Sequence, residues 1–330
     1  MQALTREFLV KKATALLENG TVDRVLGWKR GAFTYDVTPA VFETAEELAR
    51  DFVWNDFCGA NFSKYLIRET GKGEGKVLVF LKPCDTYSFN QLLTEHRFDR
   101  NKVYAVGVPC NGMLDPNLLK KWADGVAAVR EEGDTVIVET LFDGELTFVR
   151  DYLLAERCKN CKSKKHVAYD ELLGEDGEVL DSARFDEVEV IERMSPDERF
   201  AFWQNELSRC IRCNACRDVC PACTCEKCVF DNPNSGVENK APANEFEEKM
   251  FHIIRAFHVA GRCTDCGECS RVCPQQIPLH LLNRKFLTDI NEFYGEYQAG
   301  AEVGSRAPIV DYTLDDLEPG DAVKGGENNA

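Results

Sequence analysis

Thirteen of the sixteen cysteines fall between Cys158 and Cys273, and eight of these form two runs of identical spacing. One is Cys210-x2-Cys213-x2-Cys216-x3-Cys220 followed by Pro221; the other is Cys263-x2-Cys266-x2-Cys269-x3-Cys273 followed by Pro274. Three thiolates spaced this way wrap a short loop around one iron–sulfur cubane, while the fourth starts a helix facing away and ligates the neighbouring cluster. The spacing therefore predicts one 4Fe–4S cluster on Cys210, Cys213, Cys216 and Cys273. It predicts a second on Cys263, Cys266, Cys269 and Cys220. Zinc also accepts four thiolates, but usually as two separated Cys-x2-Cys pairs. Disulfides need a geometry that cysteines this crowded do not easily reach.

Cys84 and Cys110 each follow a short apolar run directly: VLVFL (77–81) before Lys82-Pro83-Cys84-Asp85, and VYAVGV (103–108) before Pro109-Cys110-Asn111-Gly112. Such runs mark buried parallel strands, and in open α/β sheets ligands sit beyond the carboxyl ends of strands. Two thiols at that edge face one crevice, and the pair Cys158-x2-Cys161 can close a four-thiolate site. Cys84, Cys110, Cys158 and Cys161 are thus expected to carry a third cluster. The plainer reading makes Cys84 and Cys110 small buried hydrophobes. Lys82, Lys159, Lys162, Lys164, Lys165 and His166 add positive charge nearby, either offsetting thiolates or forming a solvated loop.

Cys58, Cys223, Cys225 and Cys228 remain. The last three form Cys-x-Cys-x2-Cys right after the first run. A Cys-x-Cys step cannot wrap a cubane as the longer spacings do, but it can supply ligands to a cluster or to zinc. Cys58 completes that set if the chain folds back, or it packs beside Trp54 and Phe57. A redox-active thiol pair is the rival use.

These ligands need elements to hold them. Ser195-Pro196-Asp197-Glu198 has the form of a capping box with proline at the first helical position, so a helix should start at Ser195. Phe200, Trp203 and Leu207 then share one face that leads into Cys210. A second helix is expected over 245–260, capped by Asn244, with Met250, Ile254 and Phe257 on one side and Gly261 as its stop. A third begins at Pro278, with Leu282, Phe286 and Phe293 at helical spacing. Upstream, Leu4, Phe8 and Leu16 open an amphipathic segment, residues 83–99 supply a crossover, and residues 135–149 read as a hairpin turning at Asp143-Gly144. The fold expected is an α/β N-terminal domain with a short, mostly parallel sheet (1–194), followed by an all-α dicluster ferredoxin domain (195–300). An extended, Gly-rich tail (301–330) is expected to be partly disordered.

The stretch HIIRAFHVAGRCTDCGECSRVCPQQIPLHLLNRKF resembles the helical dicluster ferredoxin domains of heterodisulfide reductase subunits and of the iron–sulfur subunits of hydrogenases and formate dehydrogenases. That resemblance spans about residues 195–315 and implies electron relay rather than a particular substrate. Over about residues 50–165 the cysteine pattern is similar to the β-subunit family of deazaflavin-reducing hydrogenases and to related subunits of anaerobic sulfite reductase and sulfhydrogenase. Some members of the first group bind FAD, but no residue-by-residue flavin motif stands in this sequence.

The net charge of −16 over 330 residues argues against nucleic acid as the main partner. No apolar run approaches the roughly 18 residues of a membrane helix, and the opening MQALTREFLVKK has no signal-peptide pattern, so a cytoplasmic location is expected. Gly71–Lys76 lacks the Walker spacing and reads as a turn. His96, His166, His252, His258 and His280 form no ligand-spaced pair, and no nucleophile or acid/base constellation assigns a catalytic residue. The function expected is an electron-transfer subunit of an anaerobic oxidoreductase complex of the heterodisulfide reductase, hydrogenase or formate dehydrogenase type. It would relay single electrons through two or more 4Fe–4S clusters, with a flavoprotein and further iron–sulfur subunits as partners. The rivals are an FAD-containing subunit acting on a deazaflavin or nicotinamide coenzyme, and a thiol/disulfide reductase built on Cys223, Cys225 and Cys228.

Overall fold

The computed structural model describes residues 4–180, 183–231 and 245–310. The expected N-terminal α/β region is present. Strands β1 (Arg24–Arg30), β2 (Val37–Phe42), β3 (Val77–Leu81) and β4 (Val103–Gly107) pair in the order β2-β1-β3-β4. Strands β5 (Val126–Glu132), β6 (Thr135–Thr140) and β7 (Glu145–Val149) form a separate antiparallel sheet, the last two being the hairpin. The short β8 (Glu171–Leu172) returns to extend the first sheet beyond β4. Only the β1–β2 pairing in that first sheet is antiparallel.

All five residues of β3 are buried, which is why its sequence is continuously apolar rather than alternating. Helices α1 (Arg6–Glu18), α2 (Ala45–Asp51), α3 (Tyr65–Gly71) and α4 (Pro83–Thr94) flank this sheet, and α1 turns Leu9, Ala13 and Leu16 into its core. Gly27 lies where a Cβ would stand 2.7 Å from the Phe52 ring, so only glycine lets that ring approach the strand. Short helices α5 (Pro116–Trp122), α6 (Arg150–Leu153) and α7 (Glu156–Lys159) surround the second sheet and lead to Cys158 and Cys161.

The remainder is helical: α8 (Asp186–Glu192), α9 (Pro196–Ser208), α10 (Ala215–Val219), α11 (Glu245–Val259), α12 (Glu268–Arg271) and α13 (Leu279–Tyr294). Ser195 caps α9 through the expected capping box with Glu198. Helix α11 ends before Gly261, whose φ is +70°; its expected cap, Asn244, and the tail beyond 310 lie outside the described residues. Helix α8 lies before the expected boundary at 194/195, yet its Val188 and Ile191 pack on Leu281 of α13. Among the described residues no helix is long and apolar enough to cross a membrane.

The helix faces follow the apolar stripes read in the sequence only in part: Leu207 is buried, with Trp203 and Leu282 packed against its cluster. Phe200, Phe257 and Phe293 are exposed, at 61%, 63% and 71%. Helix α11 instead buries Phe251, His252, Arg255, Ala256 and Val259, and α13 buries Asn283, Arg284, Leu287 and Ile290. The inward faces look onto cysteine loops, where polar donors and cations are compatible with burial because sulfur and backbone carbonyls meet them.

Candidate metal centres

The two cysteine runs fold into matching loops. Arg212 and Asn214 in the first have φ of 53° and 62°, and Asp265 and Gly267, at the same positions of the second, have 54° and 68°. Left-handed conformations are uncommon for residues such as Arg and Asp and cluster where function demands a tight turn. They bend each loop so that a backbone amide meets its first sulfur: Arg212 N–H donates to Cys210 Sγ and Asp265 N–H to Cys263 Sγ, both at 3.4 Å. Helices α10 and α12 follow, and Ile277 N–H donates to Cys273 Sγ at 3.4 Å.

Cys210, Cys213, Cys216 and Cys273 line one small cavity, together with His252. Burial pushes Cys216 up, with the Cys273 thiolate among the charges reinforcing the shift. In the second run, burial pushes Cys263, Cys266 and Cys269 up to about 12, and Cys220 is a near charge for all three. Cys273 thus lines the first-run cavity, and Cys220 stands near the thiols of the second run. Thiols raised this far are neutral unless a cation or metal meets them.

Cys84, at the start of α4, Cys110, beyond β4, and the pair Cys158 and Cys161 line another cavity. Its wall also contains Cys266 of the second run and the side chains of Lys82, Arg157, Lys162 and Lys164. Gly112 N–H donates to Cys110 Sγ at 3.4 Å and Met113 N–H to Cys158 Sγ at 3.3 Å. Burial raises both Cys84 and Cys110. Lys82, fully buried, is paired with Asp85 at 2.8 Å. The rest of the basic cluster does other work: Lys159 pairs with Glu156, Lys165 is exposed, and His166 bridges Asp176 and the Leu81 carbonyl.

Each cavity carries an orphaned donor. Both ring nitrogens of His252 and Nε of Arg157 are buried without a hydrogen-bond partner; His252 faces the first-run cavity and Arg157 the N-terminal one. A cluster's sulfur atoms would accept from such donors, so the residues present fit the group. No three described His, Cys, Asp or Glu side chains close around one point as a single ion requires. A cubane instead holds its thiolates apart, at its corners.

Cys58 stands elsewhere. It is fully buried in the core of the first sheet, accepts from the Asn55 amide at 3.3 Å, and is pushed up to about 12 by burial. The structure does not bring it to Cys223, Cys225 and Cys228, which line a separate cavity. Several residues around these sites were not singled out from the sequence. Asp265, inside the second loop, is held at about 2: burial opposes its charge, but Arg284 and Arg184 outweigh it. Glu268 is likewise held at about 2, against burial, by Arg271 and Arg157. A carboxylate inside a cysteine loop was the one clue available in the sequence.

Residues 206–277 match the family described as "4Fe-4S dicluster domain". The F420-dependent formate dehydrogenase subunit beta of Methanocaldococcus jannaschii is 25% identical, across 85% of this chain and 88% of that one. The F420-dependent formate dehydrogenase 1 subunit beta of Methanococcus maripaludis is 25% identical, across 74% of this chain and 78% of that one. Among solved structures, a chain from the F420-reducing NiFe hydrogenase complex of Methanosarcina barkeri aligns at 16% identity with a TM-score of 0.36, over 62% of this chain and 90% of that one. The helical region of this chain thus carries a 4Fe–4S dicluster domain.

Proposed function

We propose that this chain is an electron-transfer subunit of an anaerobic oxidoreductase complex, relaying electrons singly between its N-terminal region and its dicluster domain. Cys210, Cys213, Cys216 and Cys273 would hold one 4Fe–4S cluster, and Cys263, Cys266, Cys269 and Cys220 a second. Cys84, Cys110, Cys158 and Cys161 would hold a third. When bound, each cluster supplies a one-electron couple. The reading rests on one observation above all: four thiols from three separate segments share a cavity whose wall reaches Cys266. That adjacency gives a continuous route from one region to the other.

The chain's own part is to set potentials and exclude water. Backbone amides donate to the sulfurs of Cys110, Cys158, Cys210, Cys263 and Cys273, which favours the reduced state by offsetting negative charge. Lys82 and Arg157, paired with Asp85 and Glu268, also line the N-terminal cavity. Partners are further redox subunits, a flavoprotein among them. The test is iron and acid-labile sulfide on anaerobically prepared protein, compared with a Cys84→Ala/Cys161→Ala double variant. At least about 12 iron atoms, falling by about 4 in the variant, is expected. A content of about 8 in both would remove the third cluster.

A second reading is that the chain itself binds FAD and exchanges hydride with a deazaflavin coenzyme; what favours it is that both relatives are named as F420-dependent. Flavin released on anaerobic denaturation of the chain, in a 1:1 ratio, would establish it. Its absence, with intact iron content, would leave the relay alone.

A further inference from the structure

The loop after α10 faces an open cavity of about 700 Å³, within the size range of small-molecule sites. Cys223, Cys225 and Cys228 all line it. Three cations in the same wall have no carboxylate partner among the described residues. Lys64 donates to the Arg217 carbonyl at 3.1 Å, Arg97 to the Thr224 carbonyl at 2.5 Å, and Arg255 to the Cys216 carbonyl at 2.9 Å. The other lining arginines are each tied to acid: Arg68 to Glu69, Arg217 to Asp231, and Arg262 to Glu95. Arg255 is only 4% exposed, and its Nε, like that of Arg97, is buried with no hydrogen-bond partner. Cations held beside a cavity without a carboxylate partner call for an electron-rich occupant.

The cavity also touches the relay. The Cys223 thiol lies beside that of Cys220, the residue assigned to the second cluster, and Arg255 lies near the sulfurs of Cys216, Cys220, Cys269 and Cys223. No three described side chains close on one point tightly enough for a mononuclear ion, whereas a cubane spreads its thiolates. Cations around the three thiols would offset the net negative charge that a thiolate-ligated cubane brings. Cys58, the fourth cysteine that the sequence left over, is shut in the α/β core.

We infer that Cys223, Cys225 and Cys228 hold a further 4Fe–4S cluster whose fourth iron has no cysteine and opens into the cationic cavity. That iron would accept a small exogenous anion or thiolate, giving a soluble ligand direct access to the relay. The inference rests on the electron-relay reading, since without the second cluster this site has nothing to exchange electrons with.

The experiment uses the full chain, reconstituted anaerobically with ferrous iron and sulfide. A Cys225→Ser/Cys228→Ser double variant should lose about 4 iron atoms relative to the unaltered chain, whereas Cys58→Ala should lose none. Cyanide or 2-mercaptoethanol should perturb the Mössbauer signature of one iron site in the unaltered chain and none in the double variant. Iron content unchanged in the double variant would overturn the inference, as would zinc in place of iron, or a Cys225–Cys228 disulfide forming with full iron retained. Iron lost from Cys58→Ala would make Cys58 the fourth ligand and close the open position. On the unaltered chain alone, no iron site perturbed by either ligand would also overturn the inference, so a folding defect in the variant cannot hide the outcome. Failure of the relay reading is separate: it would appear as iron retained when Cys210 and Cys263 are both replaced.

Discussion

Arg157 joins more of the site than any cysteine does. It donates to the carbonyls of Gly59 at 2.7 Å and Cys266 at 3.1 Å, and it pairs with the buried carboxylate of Glu268. Glu268 also accepts from the Asn61 amide at 3.2 Å and pairs with Arg271. Removing one member of so buried a set leaves uncompensated charge, so Glu268→Gln is expected to cost about 3–5 kcal/mol in denaturant unfolding. The pH dependence has a definite sign. Asp265 and Glu268 are both held at about 2, below the roughly 3.9 and 4.3 of unfolded Asp and Glu. Their stabilisation is present above those unfolded values and is lost as pH falls toward 2. The difference in unfolding free energy between the unaltered chain and Glu268→Gln should therefore shrink between about pH 4 and 2. A difference that stays constant to pH 2 would contradict the assignment. The eight cysteines of the two runs were legible because cubane chemistry fixes their spacing; Arg157 and Glu268 were not, because nothing local marks residues 111 positions apart as partners.

Helices deliver these residues, and their caps can be tested apart from their faces. The Ser195 hydroxyl accepts from the Glu198 amide at 3.3 Å, and Glu198 accepts from the Ser195 amide at 2.9 Å. Ser195→Ala should cost about 1 kcal/mol in thermal or denaturant unfolding and leave iron content unchanged. Helix α11 carries the opposite lesson. Periodicity pointed to Met250, Ile254 and Phe257, but the helix turns His252 and Arg255 inward. An apolar moment identifies the inward face only where the interior is apolar. Burial opposes the charge of Arg255, and the surrounding sulfurs of Cys216, Cys220, Cys269 and Cys223 hold it in place. Arg255→Met should therefore lower the midpoint potentials of the dicluster centres in an EPR-monitored redox titration. The size expected is of the order of one tenfold step in the equilibrium, about 59 mV for one electron. Arg255→Lys should recover part of it; equal shifts in both variants would point to a packing effect instead.

At the scale of the whole molecule, the α/β region grips the second cysteine loop rather than merely adjoining it. Lys162 donates to the Thr264 carbonyl, the Ser88 and Thr264 hydroxyls bond at 2.8 Å, and Arg184 pairs with Asp265 at 2.6 Å. A second clasp, Arg262 to Glu95, makes two contacts of 2.8 and 2.7 Å. Glu95→Ala should loosen it and raise hydrogen exchange at both its ends, the end of α4 and the turn after α11. Protection unchanged at α4 would show that the clasp contributes nothing measurable.

By itself the sequence determined the dicluster domain, the buried parallel strands β3 and β4, the hairpin and the capped start of α9. Each follows from a short-range rule: ligand spacing, apolar continuity, turn chemistry or a reciprocal cap. The tertiary structure alone decided that Cys84, Cys110, Cys158 and Cys161 share one cavity with Cys266 at its wall, and that Cys58 is packed away from Cys223, Cys225 and Cys228. It also decided which helix faces look inward. Those outcomes depend on how sheet, loops and helices pack across long sequence separations, where buried charge pairs and sulfur–amide bonds set the arrangement and no local periodicity records it.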